Sequence, residues 1–428
     1  MTPAPIQTLP LSASWQFHDD RSTLVLEPHA RPAMPVSNDD QVVHLCFQAG
    51  TDELAKILAV FEIPSEAVRE RHWAVIRQGV AVKVEQHSEF VSIMLRRSAD
   101  DAEGKLGEFL RDLTTIEHVK TICLTRVLLH SPKSTGFKEL TFGSRIMGGH
   151  ICTDLEVRST LFPDEHGFIT FVVKAPAAPS EQLGRRIQRL LEVETYRNMC
   201  LLGLPLARRT GEKLRRFEME LGTIMSAMNS EAKELDDEAH FERLSTLMQE
   251  AHAETAGCRY RFAASLAYNE IVQQRLDSLE EEKLGELQTV TGFVRSRLNP
   301  GVSTIQSVVR RQQVLIDDLN QALSLLRTRI DLSLNRDNQF LLKSMDARHR
   351  QQVVIAQTVE GLSAVAISYY LVGLVSYMAA SLTGVLPDWL SPAIIIGISV
   401  PVIFLGVYTF LHTMRKRWES DLLKKSSP

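Results

Sequence analysis

The chain reads as an α+β domain, then a long helical bundle or stalk, then a C-terminal hairpin of two transmembrane helices. Three observations predict this order. Short alternating apolar runs separated by turn residues fill 41–175, whereas helix formers without strand patterning fill 180–357. From Gly361 to Met414 the only formal charge is Asp388, which follows Pro387 and precedes Pro392 by four residues.

Residues 1–40 are proline-rich and read as an irregular N-terminal arm, apart from an extended stretch over 22–26. Residues 42–47 predict a strand, and Thr51 and Asp52 can cap a helix through Val60. Residues 75–84 and 90–96 read as two strands, 105–113 as a helix, and 119–129, 144–158 and 168–173 as β-rich. Ala175-Pro176-Ala177-Ala178-Pro179-Ser180 closes this domain. Helices are expected over 180–202, 209–229, 237–284 and 287–357, with Pro300-Gly301 bending or splitting the last, which is expected to run on into the first span. Ile305, Val309, Ile316, Leu319, Leu323, Leu326 and Ile330 follow a four–three rhythm, with Gln312 in one slot. Such a seam binds another helix, either of the same chain or of a neighbouring subunit. We expect an intrachain bundle for the seam as a whole and a subunit contact near the membrane.

The first span, 361–386, is an uncharged run of 26 residues. At about 1.5 Å per residue it is roughly 39 Å long, enough for a hydrocarbon core of about 30 Å. The second span, 391–412, contains Pro401. Arg348, His349 and Arg350 precede the first span, Arg415, Lys416 and Arg417 follow the second, and the turn between them has no basic residue. The positive-inside rule therefore places both termini in the cytosol, with 415–428 a basic tail, and no secretory signal is expected at the N-terminus. Trp389 and Trp418 stand where interfacial aromatics are found. Tyr369, Gly373, Ser376, Ala380 and Thr383 share one stripe of the first span. The stripe suits a helix–helix seam or, in an oligomer, the lining of a pore. Asp388 would then form an acidic ring at the outer mouth.

Composition excludes little: 23% charged, 44% hydrophobic, net charge −4, and no basic footprint for nucleic acid. Cys46, Cys123, Cys152, Cys200 and Cys258 are dispersed, which suits a reducing compartment and gives no zinc spacing. No Walker loop, dinucleotide glycine motif or nucleophile elbow appears, so no enzyme is expected. Gly143-Ser144-Arg145-Ile146-Met147-Gly148-Gly149-His150 is spaced for a turn and bulge rather than a phosphate cradle. Glu85, His87 and Glu89 alternate along an expected strand and share its face, as do Asp154 and Glu156 on another. Either set could hold a regulatory divalent cation or be an ordinary hydrogen-bonded sheet face. His29 and Arg31, fixed between Pro28 and Pro32, could pin the arm or bind an anion.

Four segments together resemble a bacterial family of membrane-anchored proteins, domain of unknown function 3422. They are His29-Ala30-Arg31-Pro32, Glu85-Gln86-His87-Ser88-Glu89-Phe90, Leu201-Leu202-Gly203-Leu204-Pro205-Leu206-Ala207-Arg208 and Val359-Glu360-Gly361-Leu362-Ser363. That resemblance implies a bacterial inner-membrane protein and no particular activity. The layout also resembles the CorA-type divalent-cation transporters, which implies a homo-oligomer held by its stalk and first span, with that span lining a pore. The chain departs from their Gly-Met-Asn motif, because Tyr377 is followed by Met378-Ala379-Ala380. The expectation is a cation channel or transporter of unstated selectivity; a non-transporting membrane anchor that binds a protein partner is the alternative.

Overall fold

The computed structural model describes residues 16–26, 32–64, 71–98, 104–131, 146–229, 237–381 and 392–425; of 22, 23, 26, 104, 229, 392 and 415–425 it describes the backbone alone. The chain forms two units, Met1–Ala232 with Ala239–Leu323, and Lys233–Glu238 with Ser324–Pro428.

The first unit contains a nine-stranded sheet. Its strands are β1 (Gln41–Gln48), β2 (His72–Arg77), β3 (Val80–Gln86), β4 (Val91–Arg97), β5 (Lys120–His130), β6 (Met147–Ile151), β7 (Leu155–Pro163), β8 (Ile169–Lys174) and β9 (Glu282–Lys283). They lie in the order β2-β3-β4-β1-β5-β8-β7-β6-β9. The central pair β5–β8 is parallel, and the other pairs are antiparallel. Residues 75–84, expected as one strand, are divided between two. Gln78 and Gly79 both take positive φ (49° and 84°), giving the two-residue turn whose twist suits a hairpin.

Strand alternation sends neighbouring residues to opposite faces. Val43, Leu45 and Phe47 of β1 join Val82, Val84, Ile93 and Leu95 under α2 (Thr51–Val60) and α3 (Gly104–Thr114). The opposite face carries Val42, Cys46, Met94, Cys123, Val127, Phe171 and Val173. It packs with α4 (Ser180–Leu201) and residues of α6 (Asp237–Ser278) and α7 (Val290–Ser381). The stretch 22–26, expected to be extended, is the end of α1 (Arg21–Leu26). Its first turn closes through the Leu24 N–H, which donates to the Asp20 carbonyl at 3.0 Å. The arm after it is tied to the domain: the Val36 N–H donates to the Ser180 carbonyl (3.0 Å) and Arg96 donates to the Pro35 carbonyl (2.9 Å).

Three helix boundaries differ from expectation. Helix α5 (Gly203–Asn229) begins six residues before Arg209 and takes Pro205 into its first turn, where a missing N–H loses no helical bond. Helix α6 stops at Ser278 and the chain returns to the sheet as β9. The adjacent Glu281 carboxylate then accepts from the N–H groups of Val290 and Thr291 (2.8 and 2.6 Å), starting α7. Gly148 and Gly149 lie within β6 where that return passes, since a Cβ on Gly149 would stand 2.8 Å from the Glu282 carbonyl oxygen. Finally, α7 passes Pro300 without interruption, and its run into the apolar stretch as far as Ser381 is the expected one.

The seam on α7 is real but rotated. Its buried positions Leu298, Gly301, Ile305, Val308, Gln312, Leu315, Leu319, Ala322 and Leu326 form a three–four repeat, with Val302 buried beside it. Ile305, Gln312, Leu319 and Leu326 belong to the expected line. Val309 is exposed and Ile316 and Leu323 are half-buried, so their neighbours Val308, Leu315 and Ala322 take the inner positions. The partners are intrachain: Gln312 Nε2 donates to Cys258 Sγ of α6 (3.0 Å), and Arg311 clamps Glu218 of α5 (2.9 and 2.7 Å).

The second unit contains the later part of α7 and helix α8 (Pro392–Lys425), which continues past the expected end at His412. Both carry a stretch long and apolar enough to cross a membrane. Ala364, Ser368 and Ala379 are buried on α7, and the half-buried Ile396, Ser399, Ile403, Val407 and Leu411 follow one stripe of α8. The large residues around them, such as Leu362, Leu374, Tyr377, Ile398, Leu405 and Phe410, are exposed.

Candidate functional site

The face of the sheet under α4 carries two adjacent polar rows. Residues paired across antiparallel strands stand on the same face, so each row can be read from the register. One row is His72–Glu85–Ser92–Cys46–Cys123, crossing β2, β3, β4, β1 and β5. The next is Ala74–Lys83–Met94–His44–Thr125. A sheet face covered by a helix is ordinarily apolar. Here His44, Lys83, Ser92 and Thr125 are buried instead, and so are Cys46 and Cys123.

At one end of the rows the polar groups are ionic. Lys83 Nζ lies 3.3 Å and His72 Nδ1 3.5 Å from Glu85 Oε1. Burial opposes the charge on Glu85, but His72, Lys83 and His87 outweigh it and hold its carboxyl down to about 2. At the other end they are sulfur and imidazole. Cys46 Sγ lies 3.9 Å from His44 Nδ1 and 4.0 Å from Nε2. Thr195, from α4, donates to the Leu191 carbonyl (3.0 Å), and its Oγ1 lies 3.5 Å from Cys46 Sγ, 3.5 Å from His44 Nδ1 and 4.0 Å from Cys123 Sγ. Burial alone would keep the Cys46 thiol neutral, yet hydrogen bonds from Cys123, His44 and Thr195 and the charge of His44 draw it down to about 5. His44 is raised despite its burial because Cys46 stands beside it. Cys123, which hydrogen-bonds Cys46, is pushed well above the usual thiol range. A cavity of about 30 Å³ lies along the rows, lined by His44, Lys83, Glu85, His87, Ser92 and Thr195 among others. It has room for a water or a single ion and none for an organic ligand.

The family comparison agrees with this layout in extent, for one match spans both units. The family model described as "Protein of unknown function (DUF3422)" matches residues 16–418. The chain belongs to that family. No curated protein matches it. The match covers the polar rows and both apolar helices of this DUF3422 chain, so the site lies within the family's own domain.

The residues singled out from the sequence are not gathered into one place. Glu85 ends up on β3, but that strand stops at Gln86, and His87 and Glu89 lie in the turn that follows. Of the three, Glu85 and His87 still meet at the cavity, and Glu89 does not line it. His87 stacks on Phe90 at 4.1 Å and its Nε2 is 3.2 Å from Ser92 Oγ, while Glu89 accepts from Arg261 of α6 (2.9 Å). Asp154 sits in the turn before β7 and pairs with Arg186 (2.6 Å), and Glu156 pairs with Arg158 (2.6 Å). Glu89, Asp154 and Glu156 are thus each paired with an arginine. On the first span Tyr369 and Ala380 are exposed, and Gly373 and Ser376 are half-buried. Thr383, Asp388, His29 and Arg31 lie outside the described residues.

The sequence reading missed His44, Cys46 and Cys123. The cysteines are separated by 77 positions, and no local spacing announces them. The one signal was the histidine–cysteine alternation inside an otherwise apolar strand, Val42-Val43-His44-Leu45-Cys46-Phe47, which puts both polar side chains on one face.

Proposed function

We propose that this protein inserts its last two helices into a bilayer as a hairpin and assembles into a homo-oligomer that conducts cations. The observation that carries the reading is one helix. Val290–Ser381 holds the seam of the first unit and, without a break at Pro300, the membrane-length apolar stretch. The seam and the membrane-length stretch are therefore parts of one continuous helix. The outward-turned apolar side chains between 353 and 381 favour lipid or a neighbouring copy over water. Tyr369, Gly373, Ser376 and Ala380 supply the polar stripe that a conduit needs, and the basic flanks orient both ends toward the cytosol.

The experiment is purification in detergent followed by reconstitution. The proposal expects an assembly of several copies by light scattering, and divalent or monovalent cation flux into liposomes that falls when Ser376→Leu fills the stripe. A monomer or dimer with no flux would favour the second reading, an anchor whose hairpin only tethers the first unit to the membrane. That reading has its own support in the carboxylates of the first unit, since Glu89, Asp154 and Glu156 are each taken by an arginine.

A further inference from the structure

We propose that His44, Cys46 and Cys123 form a three-ligand site for a single thiophilic cation, Zn²⁺, with the Thr195 hydroxyl beside the fourth coordination position. The inference is independent of whether the apolar helices conduct ions.

The donor set is the first argument. One imidazole nitrogen and two sulfurs, all buried, lie within 4.8 Å of one another. Zinc bonds of about 2.3 Å to sulfur and about 2.0–2.1 Å to nitrogen place tetrahedral donors roughly 3.5–3.8 Å apart. The 3.9 Å between Cys46 Sγ and His44 Nδ1 needs only a small rotamer adjustment to reach that edge. Two thiolates offset the double positive charge, so the loaded centre is neutral, as a buried position requires. Sulfur and imidazole also select against Mg²⁺ and Ca²⁺, which take oxygen ligands.

Rigidity is the second. His44 and Cys46 are two residues apart on β1, and Cys123 is the direct register partner of Cys46 on β5. Both strands are interior to the sheet, so the three side chains are held by paired backbone on each side. Helix α4 closes the site with Thr195, whose hydroxyl stands within 4.0 Å of all three donors. A ring of this kind orients ligands and excludes competing solvent.

Three other buried cysteines supply the contrast. Among the described residues, Cys152, Cys200 and Cys258 belong to no cluster of three metal-ligating side chains and are buried as small apolar residues are. A Cys46–Cys123 disulfide is the rival use of the same pair. It would require an oxidant, and it would leave His44 and Thr195 facing a neutral bond with nothing to hold.

The test uses the full chain without a histidine tag, purified in detergent under reducing conditions, stripped with a chelator and dialysed against Zn²⁺ alone. Elemental analysis is expected to find one zinc per chain. Co²⁺ in its place is expected to give thiolate-to-metal charge-transfer absorption and tetrahedral d–d bands. Cys46→Ser and Cys123→Ala are each expected to weaken Zn²⁺ by at least about 100-fold, beyond the usual 10–100-fold loss from an outer-shell change. Cys200→Ser should bind as the parent does. Circular dichroism separates lost metal from lost fold, and the cobalt spectrum of the unaltered chain decides the matter even if both ligand variants misfold. A stripped parent that takes up no zinc would overturn the proposal. So would Co²⁺ bands without sulfur character, or a Cys46–Cys123 disulfide forming in buffer with excess Zn²⁺ and thiol reductant present.

Discussion

Helix α7 (Val290–Ser381) is two kinds of helix in one. From Leu298 to Leu326 the buried apolar residues gather on a three–four line, while Arg310, Arg311, Asp317 and Asp318 stand off it. Beyond residue 352 apolar residues surround the axis, and the buried ones are small: Ala364, Ser368 and Ala379. A one-sided stripe is what a helix needs when water covers its other side. All-round apolarity has no such meaning in water, and it is stable only where the surroundings are themselves apolar. The same backbone therefore carries two instructions about solvent, written in where leucine, valine and isoleucine sit rather than in how many there are.

The largest effect that separates the two parts is a truncation made in each. Leu319→Ala should lower the unfolding free energy of the first unit by about 2–5 kcal/mol, the cost of a core cavity. Leu374→Ala, exposed on the second part, should leave detergent-solubilised protein within about 0.5 kcal/mol of the parent. Urea titration followed by circular dichroism measures both, and equal losses would erase the distinction. A charge inverts the ranking. Leu374→Arg should oppose insertion by about 3 kcal/mol and shift the chain toward the soluble fraction of a membrane preparation. The same arginine at Val314, an exposed site on the first part, should shift nothing.

Acid draws the line differently, because the first unit holds a buried ion cluster in its polar rows. The carboxyl of Glu85 is held at about 2 in the fold by His72, Lys83 and His87 against the cost of burial. A depressed carboxyl contributes stability that is complete above its unfolded value, about 4.3, and disappears as the pH falls through the folded one. Stability of the first unit should thus drop between about pH 4.5 and pH 2, by an amount on the order of 2 kcal/mol from this group. Glu85→Gln should remove that part of the acid limb and leave Lys83 with a neutral neighbour. Denaturation midpoints at pH 6 and pH 3 for the two proteins decide it: a parallel fall in both would assign the acid limb to other carboxylates.

The layer order was legible in the sequence, and the chemistry was not. Most strands and helices announced themselves through period, as the strand at 42–47 and the helix at 51–60 did, although that helix is capped at Gly50 with Glu53 and not by Thr51 or Asp52. The hairpin at Gln78-Gly79 was missed because valines continue on both sides of it and hide the turn. The alternation of Glu85, His87 and Glu89 looked like a strand face because strand periodicity says nothing about where pairing ends, and it ends at Gln86. Cys46 and Cys123 could not be joined from spacing, since only the β1–β5 register brings them opposite one another. The site is a product of topology, whereas the elements are products of local pattern.

The smallest effect tests the rotation of the seam itself. The expected line ran through Val309, Ile316 and Leu323, and the structure turns Val308, Leu315 and Ala322 inward instead. Both lines share Ile305, Gln312 and Leu319, so sequence cannot choose between them: each shared position is followed, three and four residues on, by an apolar pair. The choice falls to the partners. Gln312 must reach Cys258 of α6, and Arg311 must reach Glu218 of α5. With those two side chains fixed, position 308 faces the bundle and 309 faces water. Val308→Ala should then cost about 1–2 kcal/mol and Val309→Ala less than about 0.5, read from urea midpoints at constant slope. The opposite ranking would restore the expected line, which would require Gln312 to release Cys258 and leave its amide buried and unbonded, at a cost of about 1–3 kcal/mol.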